Sequence, residues 1–225
     1  MSVISIAIDG PAGAGKSTLS RKLAQSLGFL YVDTGAIYRT LGLFVEKSGE
    51  DCSKPSEVIA LLDQVQIELR HESDGLQHMY LQGEDVTEEI RSNRVSGYAS
   101  LVSAIPEVRA FLLNMQRMLA KEHNVVMDGR DIGTVVLPEA ELKIFLTASP
   151  ECRAKRRHRE LCEKGSEFPF SQILQEIVER DDADRNRPVA PLRQAEDAVL
   201  LDTSTMNLEE SLKALLMLAK EHLQV

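Results

Sequence analysis

An α/β fold built on a five-stranded parallel sheet is what this sequence predicts, on three observations. Short apolar runs rich in β-branched residues alternate with segments of helical period. A glycine-rich turn follows the first run and opens the first helix. One central stretch switches to strict apolar–polar alternation, which marks an insert carrying a different, antiparallel sheet.

The first run is Val3–Ile8, and the turn follows it. Leu19, Leu23, Ala24 and Leu27 then recur at helical spacing, closed by Gly28. Phe29–Val32, Asn124–Met127, Leu142–Leu146 and Ala198–Leu201 are the other four runs, each followed by polar or turn residues. The exception is the stretch where Val65, Ile67 and Leu69 alternate with polar residues before Ser73–Gly75 and "LQHMYLQGEDV". It reads as a hairpin or small antiparallel sheet within an insert of about 63–100. The core is then 1–62 and 101–225. The insert is either a stabilising appendage or a substrate-binding element.

The chain of 225 residues is 43% hydrophobic and 27% charged, which suits a folded globular protein. Its net charge of −9 and 4% aromatic content argue against a nucleic-acid binder, so any anion must meet a local basic cluster. Cys52, Cys152 and Cys162 form no paired motif, which points to a reducing, cytoplasmic setting without disulfides or zinc. The first run lacks the basic residues and cleavage site of a leader, and no 18-residue apolar stretch suggests a membrane span.

Gly10, Pro11, Ala12, Gly13, Ala14, Gly15, Lys16 and Ser17 fit G-x-x-x-x-G-K-[ST] in the required strand–turn–helix context. Glycines let backbone N–H groups converge on phosphate, and the helix N-terminus adds partial positive charge. Lys16 is placed to reach β- and γ-phosphates, and the Ser17 hydroxyl to ligate Mg²⁺. This turn predicts a bound nucleoside triphosphate. It does not say what accepts the phosphoryl group.

Ligands of such folds gather at strand ends. After the second run come Asp33, Thr34 and Arg39, and after the third come Asp128, Arg130 and Asp131. Two arginines there suit a second phosphate and the charge of a transition state. Asp33 and Asp128 are either orienting groups for Mg²⁺-bound water or arginines, or strand-end caps or members of local salt bridges. Arg180, Asp184 and Arg187 share one helical face, which is also the pattern of a solvated salt-bridge surface. "CRAKRRHR" (152–159) is a short basic helix suited to cover a triphosphate, and equally a surface patch. No nucleophile elbow or H-E-x-x-H is present, nor the N-K-x-D of guanine switches. These residues leave open a kinase for another small acceptor such as shikimate, a nucleotide-dependent switch, or a basic-helix binder.

"IDGPAGAGKST", "DTGAIYR", "DGRDIGTVV" and "ERDDADRNRPVAP", in this order, resemble the bacterial cytidylate kinases, and the likeness runs end to end. The resemblance implies a P-loop three-layer fold with a β-containing insert for the nucleoside monophosphate. It also implies a short helical lid at about 153–167. The implied activity is ATP-dependent phosphorylation of CMP and dCMP with Mg²⁺. Gly10 to Thr18 resemble the ATP phosphate loop. Arg39 and Arg130, with Arg187 beside them, resemble the monophosphate's phosphate ligands, and Ser100, Arg109 and Asp131 the cytosine-reading set; Thr34 keeps the hydroxyl of a CMP-binding position where relatives often carry serine. Arg180 and Asp184 resemble sugar ligands. Lys16, Arg130, Arg187 and the lid residue Arg156 resemble the catalytic set. The implied partners are small molecules alone, with no nucleic acid and no membrane, and a monomer is expected.

Overall fold

A computed structural model describes residues 3–73, 75–163, 165 and 168–223. Asp74 of the expected hairpin turn, and Lys164, Ser166 and Glu167 of the expected lid, lie outside the described residues. The chain divides into two compact units, one of 1–30 and 123–225, the other of 31–122. The sequence-derived insert of about 63–100 falls inside the second unit.

The five expected runs form one five-stranded sheet: β1 (Ser5–Asp9), β2 (Leu30–Asp33), β6 (Val125–Gly129), β7 (Leu142–Thr147) and β8 (Val199–Asp202), in the order β2-β6-β1-β7-β8. β1 runs parallel to β6 and to β7, with Ile6 opposite Val126 and Leu142. The central strands are covered on both faces, which is why β1 and β6 are nearly continuous apolar runs, whereas edge strand β8 leaves Leu200 exposed. Ile6, Ala7, Ile8, Val125, Val126 and Met127 are all fully buried.

In the first unit, α1 (Lys16–Leu27) follows the glycine turn and ends at Gly28, whose left-handed φ of 68° and N–H bonds back to Ala24 and Gln25 close the helix. α6 (Pro150–Glu163) and α7 (Phe170–Asn186) follow β7, and α8 (Leu208–Leu223) ends the described chain. Among the described residues no helix is long and apolar enough to cross a membrane.

The second unit begins within β2 and continues into α2 (Thr34–Ser48), N-capped by the Asp33 carboxylate on the Ala36 N–H at 3.0 Å. α3 (Pro55–Leu61), α4 (Asn93–Val102) and α5 (Pro106–Glu122) complete its helices. The alternating stretch is an antiparallel sheet of β3 (Ile67–His71), β4 (Gln77–Leu81) and the short β5 (Glu84–Asp85). Gln82 and Gly83 both have positive φ between β4 and β5, the two-residue turn that matches strand twist. Ile37, Leu41, Val58, Met79, Val95, Val102 and Leu112 are buried in one core that joins this sheet to the helices.

Candidate active site

The glycine turn adopts a conformation that only its glycines allow. Gly10 has φ of 151°, and a Cβ there would lie 1.9 Å from the Leu146 carbonyl oxygen. Gly15 caps α1 with φ of 88° and offers no side-chain cap, and among the described residues no acidic residue lies in the first turn. The first-turn N–H groups and the helix dipole face the turn as an anion cradle.

Lys16 is buried, and its Nζ donates to the Pro11 carbonyl at 2.8 Å. Burial, then repulsion from Arg130, push its ammonium down to about 7, against the attraction of Asp128, Asp184 and Asp9. The Ser17 hydroxyl donates to Asp128 Oδ2 at 3.1 Å, so the last buried positions of β6 bring a carboxylate to the start of α1.

The "DGRDIGT" segment carries two acid–arginine pairs. Arg130 Nε donates to Asp184 Oδ2 at 2.8 Å, and Arg187 Nη2 to Asp131 Oδ1 at 3.2 Å. Burial works against ionisation of Asp184. Arg130, Arg180 and Arg187 outweigh it and hold that carboxyl below the usual range. Arg180 and Asp184 lie on α7, as their spacing suggests. Arg187 does not continue that helix: it has ψ of 142° and lies just beyond the end. Pro188 follows it, and the residue before a proline is excluded from helical geometry by its ring. Arg187 is held by Asp131 and by the Ala190 carbonyl at 2.6 Å instead.

Asp9 was not singled out by motif, yet it organises this region. Its two carboxylate oxygens accept the Ile132 and Gly133 N–H groups, each at 2.7 Å. The end of β1 thereby clamps the turn that presents Arg130 and Asp131. Burial pushes the Asp9 carboxyl up to about 6, against those two hydrogen bonds. The available signal was an acidic residue ending an apolar strand.

The basic helix divides into different roles. Arg153 is 1% exposed and bidentate to buried Asp181 at 3.0 and 2.5 Å. It also donates to the Ala148 and Ala12 carbonyls, at 2.9 Å each. Arg156 donates to the Thr203 carbonyl at 2.7 Å and to that of Met206 at 3.3 Å.

In the second unit, Thr34 is the buried first residue of α2, and Arg39 pairs with Asp33 Oδ2 at 2.8 Å. Ser100 lies on α4, half-buried. Arg109, buried on α5, donates to the Ser103 carbonyl at 3.3 Å, with its guanidinium 5.4 Å from the Tyr38 ring centre.

Among the described residues no group of three or more His, Cys, Asp or Glu side chains could hold a metal by itself. Mg²⁺ bound with a nucleotide needs only one or two protein oxygens beside phosphates and waters, and the Ser17–Asp128 pair is a donor set of that kind.

The family model described as cytidylate kinase matches residues 6–221. A cytidylate kinase of Caldicellulosiruptor saccharolyticus is 53% identical over 216 residues, covering 96% of this chain and 95% of that one. A cytidylate kinase of Shouchella clausii is 46% identical over 217 residues, with 96% of each chain covered. An uncharacterized protein from Eubacterium ventriosum of known structure shares the fold alone, at 12% identity and a TM-score of 0.53, covering 95% of this chain and 96% of that one. Matched almost end to end by the family model and by relatives near half identity, the chain belongs to the cytidylate kinase family.

Proposed function

We propose that the chain transfers the γ-phosphoryl group of ATP to CMP and dCMP, giving ADP with CDP or dCDP. The observation that carries this reading is the meeting of the glycine cradle with paired Arg130–Asp184 and Arg187–Asp131 in one unit. A donor triphosphate and an acceptor phosphate both need cations there. The base and sugar need carboxylates.

An oxyanion of the acceptor phosphate attacks the γ-phosphorus in line, and the bond to the β–γ bridging oxygen breaks. The nucleophile already carries charge, so no general base is required, and the barrier falls through positioning and charge neutralisation. The backbone of Gly10 to Thr18 holds the β- and γ-phosphates. Lys16 exchanges the Pro11 carbonyl for phosphate oxygens. Ser17, with Asp128 behind it, would hold Mg²⁺, which would supply charge neutralisation to the triphosphate. Arg130 and Arg187, with Arg39, hold the acceptor phosphate, and Thr34 offers CMP a hydroxyl. Arg156 reaches the transferred group only after releasing the Thr203 and Met206 carbonyls.

Asp131 accepts from the cytosine N4 amine, while Ser100 and Arg109 serve the same base. Uracil places an oxygen where cytosine has its amine, leaving the buried carboxylate facing an acceptor. Asp184 and Arg180 take the ribose hydroxyls. Loss of the 2′-hydroxyl removes one hydrogen bond of about 1 kcal/mol, so dCMP is expected to be used at about a fifth of the efficiency of CMP. ADP release with Mg-ATP against CMP, dCMP, UMP, AMP, GMP, shikimate and no acceptor tests the reading. Dominant turnover with another acceptor sinks the roles of Ser100, Arg109 and Asp131. A dCMP rate below about a thousandth of the CMP rate sinks the expectation that dCMP is a substrate.

Lys16 gives a second check. Its pKa of about 7 leaves it largely neutral at pH 8 in the free protein. Triphosphate charge beside the amine raises that pKa, so ATP binding in the presence of Mg²⁺ takes up about one proton at pH 8. Titration calorimetry in two buffers of different ionisation enthalpy measures the uptake. Equal heats in both buffers would show that Lys16 is already charged before ATP binds, and would overturn the lowered pKa rather than the contact with phosphate.

A further inference from the structure

The antiparallel sheet of the second unit is fastened to the last residues of β2 by two side chains. His71 ends β3 and Gln77 opens β4, and the two stand directly opposite each other. His71 Nε2 donates to the Tyr31 carbonyl at 2.8 Å. Gln77 Oε1 accepts the Asp33 N–H at 2.7 Å, and Gln77 Nε2 donates to the Asp33 carbonyl at 3.2 Å. One amide thus satisfies both main-chain groups of Asp33, as a neighbouring strand would.

Asp33 then passes this restraint on. One oxygen caps α2 through the Ala36 N–H, and the other pairs with Arg39 Nη2 at 2.8 Å. The turn between them is close: a Cβ at Gly35 would meet Arg39 Nη1 and Asp33 Oδ1, each at 3.0 Å. Arg39 Nε is buried without a hydrogen-bond partner among the described residues, so the guanidinium keeps a donor for a ligand oxygen.

We propose that Gln77, with His71 beside it, is a positioning residue that holds Asp33 and thereby aims Arg39 at the acceptor's phosphate. This rests on the reading of Arg39 as a ligand of the CMP phosphate. The insert sheet then sets affinity for the phosphate end of the acceptor through backbone restraint, and leaves recognition of the base alone.

The test compares Gln77→Met and Arg39→Met with the parent enzyme, reading KM for CMP, KM for ATP and the inhibition constant of cytidine, which lacks the phosphate. Gln77→Met keeps chain length and loses both bonds to Asp33. It is expected to raise KM for CMP about tenfold while KM for ATP and cytidine inhibition stay within about twofold. Gln77→Glu keeps the bond from the Asp33 N–H and loses the other, so it is expected to fall between, and it serves if the Met variant folds poorly. An unchanged KM for CMP in both Gln77 variants, with a raised one in Arg39→Met, overturns the proposal and leaves the Arg39 reading standing. Equal weakening of CMP and cytidine also overturns it, because that is loss of structure alone. An unchanged KM for CMP in Arg39→Met removes the underlying reading and the proposal with it.

Discussion

Lys16→Met is expected to lower kcat by about three orders of magnitude, equivalent to about 4 kcal/mol of transition-state stabilisation. The melting temperature of the ligand-free protein should stay within a few degrees. The two readouts separate because Lys16 is a buried amine whose charged form is costly in the free protein. In the free protein its charge is opposed by burial and by Arg130, which is why its pKa falls to about 7. An apolar side chain of similar length relieves that cost and loses one bond, to the Pro11 carbonyl. The triphosphate has no such substitute, since only a cation follows charge as it moves onto the bridging oxygen. Single-turnover kinetics with a parallel melting curve would decide the matter. Near-normal turnover would remove the phosphate-loop assignment. A collapse in melting temperature would mean that Lys16 acts chiefly in stability.

Arg153→Met is expected to destabilise the protein by about 3–5 kcal/mol, a fall in melting temperature of roughly 10 °C. It strands the buried Asp181 carboxylate without its cation, and it frees the carbonyls of Ala148 and Ala12. Removing both charges, in Arg153→Met with Asp181→Leu, is expected to recover most of the loss, because the uncompensated charge is the larger cost. Ala12 belongs to the phosphate loop, so KM for ATP should remain raised in the double variant. Full additivity of the two single changes in a thermal double-mutant cycle would show that the pair does not act as a unit.

Arg153 also shows where sequence reading stops. "CRAKRRHR" presents five cations with no indication of which is buried, and the partner of Arg153 lies 28 residues away. Parallel strands were legible because burial on both faces writes continuous apolar runs, and the glycine turn was legible because its backbone excludes other residues. β5 was not distinguished, since Glu84 and Asp85 are both exposed and carry no apolar pattern. Helical spacing alone keeps Arg187 on the face of Arg180 and Asp184, whereas Pro188 removes it from α7, which ends at Asn186. Asp9 and Gln77 act through main-chain groups of distant residues, and such bonds leave no mark on side-chain pattern.

β1 comes first in chain order among the described strands and sits in the middle of the sheet, with both neighbours encoded far downstream. Ser5 pairs with Val125, about 120 residues on, and Ile6 with Leu142. At roughly 5–20 residues per second, the nascent strand waits on the order of ten seconds for its first neighbour. The span 31–122 is uninterrupted and is made during that wait, so its core can gather before the sheet has a centre. An apolar segment such as "VISIAI" exposed for that time is a natural hold for a chaperone acting during synthesis.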